Sequence, residues 1–193
     1  MAEPDANLVR RTRRGERGAF DELTRRHGPG LARFVALQIG DADEAQSLAQ
    51  EALARAFASL GTFRTDLSFA AWLRGIALTL CRSHLRDRKR HARPVDPEEL
   101  THAPAREGQR QGVLSSILRR ESNEQTLRAI AELPAALREA FILHFIEGMD
   151  YAEMGRITGV AEGALRVRAH RARALLRDTL GPVVDTWLRG AEA

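Results

Sequence analysis

Cysteine is nearly missing from this 193-residue chain: Cys81 stands alone, so no internal disulfide can form and no thiolate-rich metal site can be built. Aromatic residues are scarce at 5%, with one tyrosine and two tryptophans. No segment alternates apolar and polar residues between turn signals, which argues against sheets; Ala, Leu and Arg dominate, which favours helices. There is no apolar run of membrane-spanning length and no signal-peptide core at the amino terminus, so a cytoplasmic, non-inserted protein is expected. Lysine is also rare. Lys89 is the only one among 30 basic residues, and the rest are arginines.

Heavy arginine use alone reflects codon usage as readily as nucleic-acid binding, and the formal net charge is only +4. Placement is more informative. Residues 164–177 hold Arg166, Arg168, Arg171, Arg173 and Arg177 with no acid. Residues 82–93 hold Arg82, Arg86, Arg88, Lys89, Arg90 and Arg93 against Asp87 alone. Runs of this kind often are plain solvated faces. Two of them in a small helical chain gain meaning from their surroundings.

The fold class read from the pattern is all-α, in two small helical domains joined by a flexible linker. The first domain is placed at residues 1–90. Its clearest helix starts at Asp41, an N-cap followed by Asp43 and Glu44 where the helix dipole favours acids. Apolar positions then recur at Ala45, Leu48, Ala49, Leu53, Ala56, Phe57 and Leu60, and Gly61 is expected to end the helix. A second long helix opens after Asp66 or at Ser68. Phe69, Trp72, Leu73, Ile76, Ala77, Leu80, Cys81, His84 and Leu85 fall on its apolar face; Thr79, Arg82, Arg86 and Lys89 fall on the opposite one. Upstream, Ala19 to Ile39 reads as two helices broken at Gly28-Pro29-Gly30. Between residues 91 and 121 the periodicity fades among Pro94, Pro97 and Pro104, which marks a tether; the apolar patch Val113–Leu118 could start the next helix.

The second domain is placed at residues 122–180, with a tail at 181–193. A helix opens at Pro134 and stops at Gly148. Asp150 caps a short helix through Met154 and Ile157, Thr158-Gly159 turns, and a longer helix runs from Ala161 to Leu180. The long helix buries Leu165, Ala169, Ala172 and Leu176 and lines another face with Arg166, His170, Arg173 and Arg177. Short helix, glycine turn and basic helix form a helix-turn-helix, whose second helix enters the major groove in DNA-binding versions.

Three segments carry a resemblance to the extracytoplasmic-function group of bacterial RNA polymerase sigma factors. GERGAFDELTRRHGPGLARFVALQIGDADEAQSLAQEALARAF, residues 15–57, and FRTDLSFAAWLRGIALTLCRSHLRDRKR, residues 63–90, resemble their domain 2. LPAALREAFILHFIEGMDYAEMGRITGVAEGALRVRAHRARALLR, residues 133–177, resembles domain 4. The resemblance implies a sigma factor that binds core RNA polymerase and directs promoter-specific initiation. It assigns polymerase contact to Leu48, Gln50, Glu51 and Arg55. It assigns the melted downstream promoter element to Thr79, Arg82, Arg86 and Lys89. The upstream element, as duplex, falls to Glu162, Arg166, Arg168, His170, Arg171 and Arg173. It also implies an anti-sigma factor as inhibitory partner and a chain that is monomeric when free.

This chain departs from the group's pattern at three places. Ser47 stands where an acid usually precedes Leu-x-Gln-Glu; Thr79 and Ser83 replace an Asn and an Asp; Ala161 replaces the Ser or Thr that opens the recognition helix, a weaker cap by about 1 kcal/mol. Trp72 reads as core rather than a base-stacking platform, and Cys81 with His84 as core packing, since two ligands do not make a metal site. No nucleophile triad, phosphate loop or carboxylate pair stands out, so neither catalytic residues nor cofactors are expected. Two other functions fit the same residues: a sigma-like decoy that occupies an anti-sigma factor, favoured by Ser47, and a helix-turn-helix repressor or activator that never docks on polymerase.

Overall fold

Helix follows helix through both halves of the computed structural model, which describes residues 3–64, 67–91 and 122–181. The first half holds α1 (Asp5–Arg13), α2 (Arg17–Ile39), α3 (Ala42–Ala58) and α4 (Phe69–His91). The second holds α5 (Ser122–Glu132), α6 (Ala135–Phe141), a π turn at Ile142–Ile146, α7 (Tyr151–Thr158) and α8 (Glu162–Leu180). Most of the tether at 91–121, the patch Val113–Leu118 and the tail beyond residue 181 lie outside the described residues.

The helix starts follow their caps. The Asp41 carboxylate accepts the Asp43 and Glu44 amides at 3.0 and 3.1 Å, and Asp150 accepts the Glu153 amide at 2.7 Å. The Ser68 hydroxyl accepts from the Ala71 amide at 3.1 Å, which places the start of α4 as read from the sequence. Ala161 offers α8 no side-chain cap. Gly159 turns the chain between α7 and α8 at φ 71°, a conformation that β-carbons resist.

Two boundaries differ from the sequence reading. Ala19 to Ile39 is one helix, not two, and Pro29 lies inside it. Gly28 lacks the β-carbon that the pyrrolidine ring would strike, and α2 is sandwiched by α3 and α4, so packing overrides the lost amide donor. α3 ends at Ala58 rather than at Gly61, and Leu60–Thr62 form a 3-10 turn instead. The buried stripe of α3 is mostly alanine: Ala45, Ala49, Ala52 and Ala56 pack inward, whereas Phe57 is 47% exposed. Small residues there let α3 approach α2 closely.

The largest difference concerns the relation between halves. The sequence reading left their placement to whatever binds them, through a loose tether. Here α2 packs on α5 and α6, and α4 packs on α7. Gly75 of α4 lies so close to α7 that an added β-carbon would sit 3.3 Å from Ile157 Cβ. The α4 side chains at 74, 78 and 82, spaced by four, lie along a second face, covered at 74 and 78 and half-open at 82. Leu78 is 1% exposed, Arg74 pairs with the buried Glu147, and Arg82 forks onto Glu139. The periodicity of α4 had shown only its face toward α2 and α3.

Candidate nucleic-acid interface

In the second half, Leu165, Ala169, Ala172 and Leu176 are buried, each no more than 2% exposed, and anchor α8 against α6 and α7. With that face fixed, Glu162, Arg166, His170 and Arg171 are exposed, and Arg168 and Arg173 are half-buried. The turn between α7 and α8 is tight: a β-carbon on Gly155 would sit 3.3 Å from the Val160 carbonyl. This geometry gives α8 one outward polar face at the end where a recognition helix meets base edges. His170, Arg173, Ala174 and Arg177 line a shallow basic groove further along it.

Two α8 arginines stand over aromatic rings. The Arg166 guanidinium carbon is 5.1 Å from the centre of the Tyr151 ring, and that of Arg173 is 5.9 Å from the Phe145 ring. Tyr151 is itself stacked on His144, centroids 4.3 Å apart and planes 27° from parallel. Sequence reasoning missed His144 and Tyr151. Their spacing of seven gave a weak helical signal, and the π turn that carries His144 has no periodic signature.

The helix assigned to melted DNA is placed differently. Arg86 and Lys89 are exposed on α4, and the exposed Thr79 hydroxyl donates to the Gly75 carbonyl at 3.2 Å. Arg82 is engaged: Nε and Nη2 donate to the two Glu139 oxygens at 2.9 and 2.6 Å. The hydrogen bonds from Arg82 to Glu139 raise the guanidinium pKa further above its ordinary value. Two turns earlier, Arg74 is ion-paired to Glu147, whose side chain is 4% exposed, and its guanidinium lies 5.9 Å from the Phe34 ring centre. Arg82, expected to face a strand's phosphates, thus has two of its donors on Glu139, while its side chain stays 44% exposed.

The residues assigned to polymerase contact gather on the outer side of α3. Gln50, Glu51 and Arg55 are exposed, with Arg55 donating to Glu51 at 2.5 Å, and Leu48 is half-buried against the core. Ser47 is exposed beside this patch. Trp72 joins Phe63 and Phe69 in an aromatic cluster, centroids 5.2 and 5.8 Å away, which bears out its core reading. Cys81 is buried, and desolvation pushes its thiol pKa up to about 12. His84 departs from the expected core packing by pairing with Glu44 at 2.6 Å. Among the described residues, no three His, Cys, Asp or Glu side chains converge as metal ligands, and no helix is long and apolar enough to cross a membrane.

Known proteins share both halves. Residues 23–91 match the family Sigma-70 region 2, and residues 123–176 match Sigma-70, region 4. The chain is 33% identical over 189 residues to the RNA polymerase sigma-H factor of Pseudomonas aeruginosa, covering 94% of this chain and 96% of that one. It is 33% identical to the ECF RNA polymerase sigma factor SigM of Mycobacterium tuberculosis, covering 92% and 85%. Among solved structures, the sigma factor RpoE in complex with the anti-sigma factor NepR from Bartonella quintana superposes with a TM-score of 0.64 at 27% identity, covering 83% of this chain and 96% of that one.

Proposed function

Because the chain belongs to the extracytoplasmic-function group of RNA polymerase sigma factors, we propose that α3 docks it on core polymerase and that α8 and α4 then engage two promoter elements. Leu48, Gln50, Glu51 and Arg55 form the polymerase-facing surface. Arg166 reads a base edge of the upstream element, where a bidentate arginine–guanine contact discriminates by roughly 1–3 kcal/mol. Arg168, His170, Arg171 and Arg173 hold phosphates, which sets register and makes binding salt-dependent. Glu162, in the first turn, faces the same groove. Thr79, Arg82, Arg86 and Lys89 meet the melted strand once Arg82 leaves Glu139. The chain acts in the cytoplasm through binding alone, without cofactor or catalytic group, and polymerase supplies the chemistry.

One observation carries this reading: α3 and α8 keep their polar faces exposed, while α4's is partly covered by the other half. Polymerase and duplex contacts are thus accessible in the free monomer, and strand contact comes after a separation of halves. An anti-sigma partner, like that bound by the Bartonella relative, would capture a chain whose halves already touch. Purified chain added to core polymerase should yield promoter-specific transcripts. The double variant Gln50→Ala/Glu51→Ala should lose both transcripts and co-purification with core enzyme, with helix content unchanged. Undiminished co-purification would move the interface off α3. An intact chain that captures an inhibitor yet never binds polymerase would support the decoy.

A further inference from the structure

The His144–Tyr151 ring pair spans the edge of the core: Tyr151 is half-buried against it, and Arg166 beyond it is exposed. His144 is held from behind: Nδ1 lies 2.9 Å from the Met149 carbonyl, and in the tautomer that donates there the imidazole plane is fixed. The π turn that presents it is closed by the Glu147 amide donating to the Ile142 carbonyl at 2.9 Å. Such turns recur at functional sites, because one extra residue re-aims the side chains that follow. Tyr151 opens α7 directly after its Asp150 cap, so its backbone is also fixed. The chain of support therefore runs from the Met149 carbonyl through His144 and Tyr151 to the Arg166 guanidinium. Arg166 has no ion pair or hydrogen bond among the described residues, so a cation–π contact is what orients it, and its donors stay available.

We infer that Tyr151, braced by His144, is a positioning residue that sets the sequence selectivity of Arg166. This rests on the reading of Arg166 as the base contact. An arginine has many rotamers, and ordering them on binding costs affinity that a pre-set guanidinium avoids. An exposed cation–π contact is worth only ~0.5–1 kcal/mol, so the effect is modest and directional.

The test is a competition binding assay on the full chain, comparing a selected upstream-element duplex with duplexes altered at single base pairs and with unrelated DNA. Tyr151→Ala should lower discrimination at one base pair by roughly two- to fivefold and leave unrelated DNA bound as before. Tyr151→Phe, which keeps the ring, should restore it, and His144→Ala should give a smaller loss of the same kind. In an Arg166→Ala background, Tyr151→Ala should add nothing. If Arg166→Ala leaves base preference intact, the base-reading role itself fails. If Arg166→Ala relaxes preference and Tyr151→Ala does not, positioning alone fails. Equal loss on all DNA, or a gain in selectivity from Tyr151→Ala, would also overturn the inference, making the ring a phosphate contact or a parking place.

Discussion

α4 and α8 both carry arginines, and Arg74 and Arg82 of α4 are placed differently from Arg166, Arg168 and Arg171 of α8. On α4, Arg74 and Arg82 are met by Glu147 and Glu139, both more than nine-tenths covered. On α8, Arg166 rests on a ring, and Arg168 and Arg171 have no ion pair among the described residues. The difference does not lie in the arginines themselves. It lies in which neighbouring element supplies acids: α6 and the end of the π turn offer two to α4, whereas the buried side of α8 is apolar. A cationic helix becomes available for nucleic acid when its surroundings leave its charge uncompensated.

The strongest way to break this contrast is to remove an acid. Glu147→Ala leaves Arg74 in a mostly covered position without its counter-charge, and the loss should approach about 3 kcal/mol in urea unfolding. Replacing both partners with Arg74→Met and Glu147→Leu should recover most of it, because Arg74 Nε and Glu147 Oε1 have no hydrogen-bond partner even in the intact pair. A double variant as unstable as the single one would mean that the pair itself, not the orphaned charge, holds the halves together.

A middle-sized effect should come from Arg82 and Glu139. The Arg82 side chain is 44% exposed, so solvent screens the pair and its worth is about 1 kcal/mol. Cys81, adjacent on α4, provides the readout. Its thiol is shielded and raised to about 12, so alkylation near neutral pH requires opening. Glu139→Arg or Arg82→Glu should speed alkylation by several-fold, and the two together should slow it again. If the swapped pair labels as fast as either single variant, charge complementarity is not what closes this side of the seam.

The smallest effect compares the starts of the two helices. Ser68 caps α4, and Ala161 leaves α8 uncapped. Ala161→Ser should raise stability by up to about 1 kcal/mol and Ser68→Ala should lower it by a similar amount, both read from thermal unfolding. Failure of Ala161→Ser to stabilise would mean that its β-region backbone cannot bring the hydroxyl onto the α8 amides.

How far the sequence foretold all this depends on the range of the interaction. α7 and α8 were legible almost to the residue, because Asp150 and Gly159 act on their own neighbours. The apolar face of α4 was legible for the same reason, through repeated Leu, Ala and Phe. Its second face was not. A pattern of Arg74, Leu78 and Arg82 looks solvent-bound until Glu139, 57 residues from Arg82, is brought against it. α2 was misread at Pro29 because local punctuation outvoted a tertiary sandwich. Gln50, Glu51 and Arg55 stand exposed on α3, as the inward-facing apolar stripe implied.

The flat at Gly75 bears on how quickly the halves can part. Gly75 puts no side chain of its own between α4 and Ile157, which lies within 3.3 Å of where a β-carbon would be. A keyed contact must deform on the way out, and close-packed cores resist that. A contact with no side chain on one side has less to deform at that point than an interlocked one. A parting of α4 from α7 at this point would belong with domain motions, which run on the order of microseconds to milliseconds.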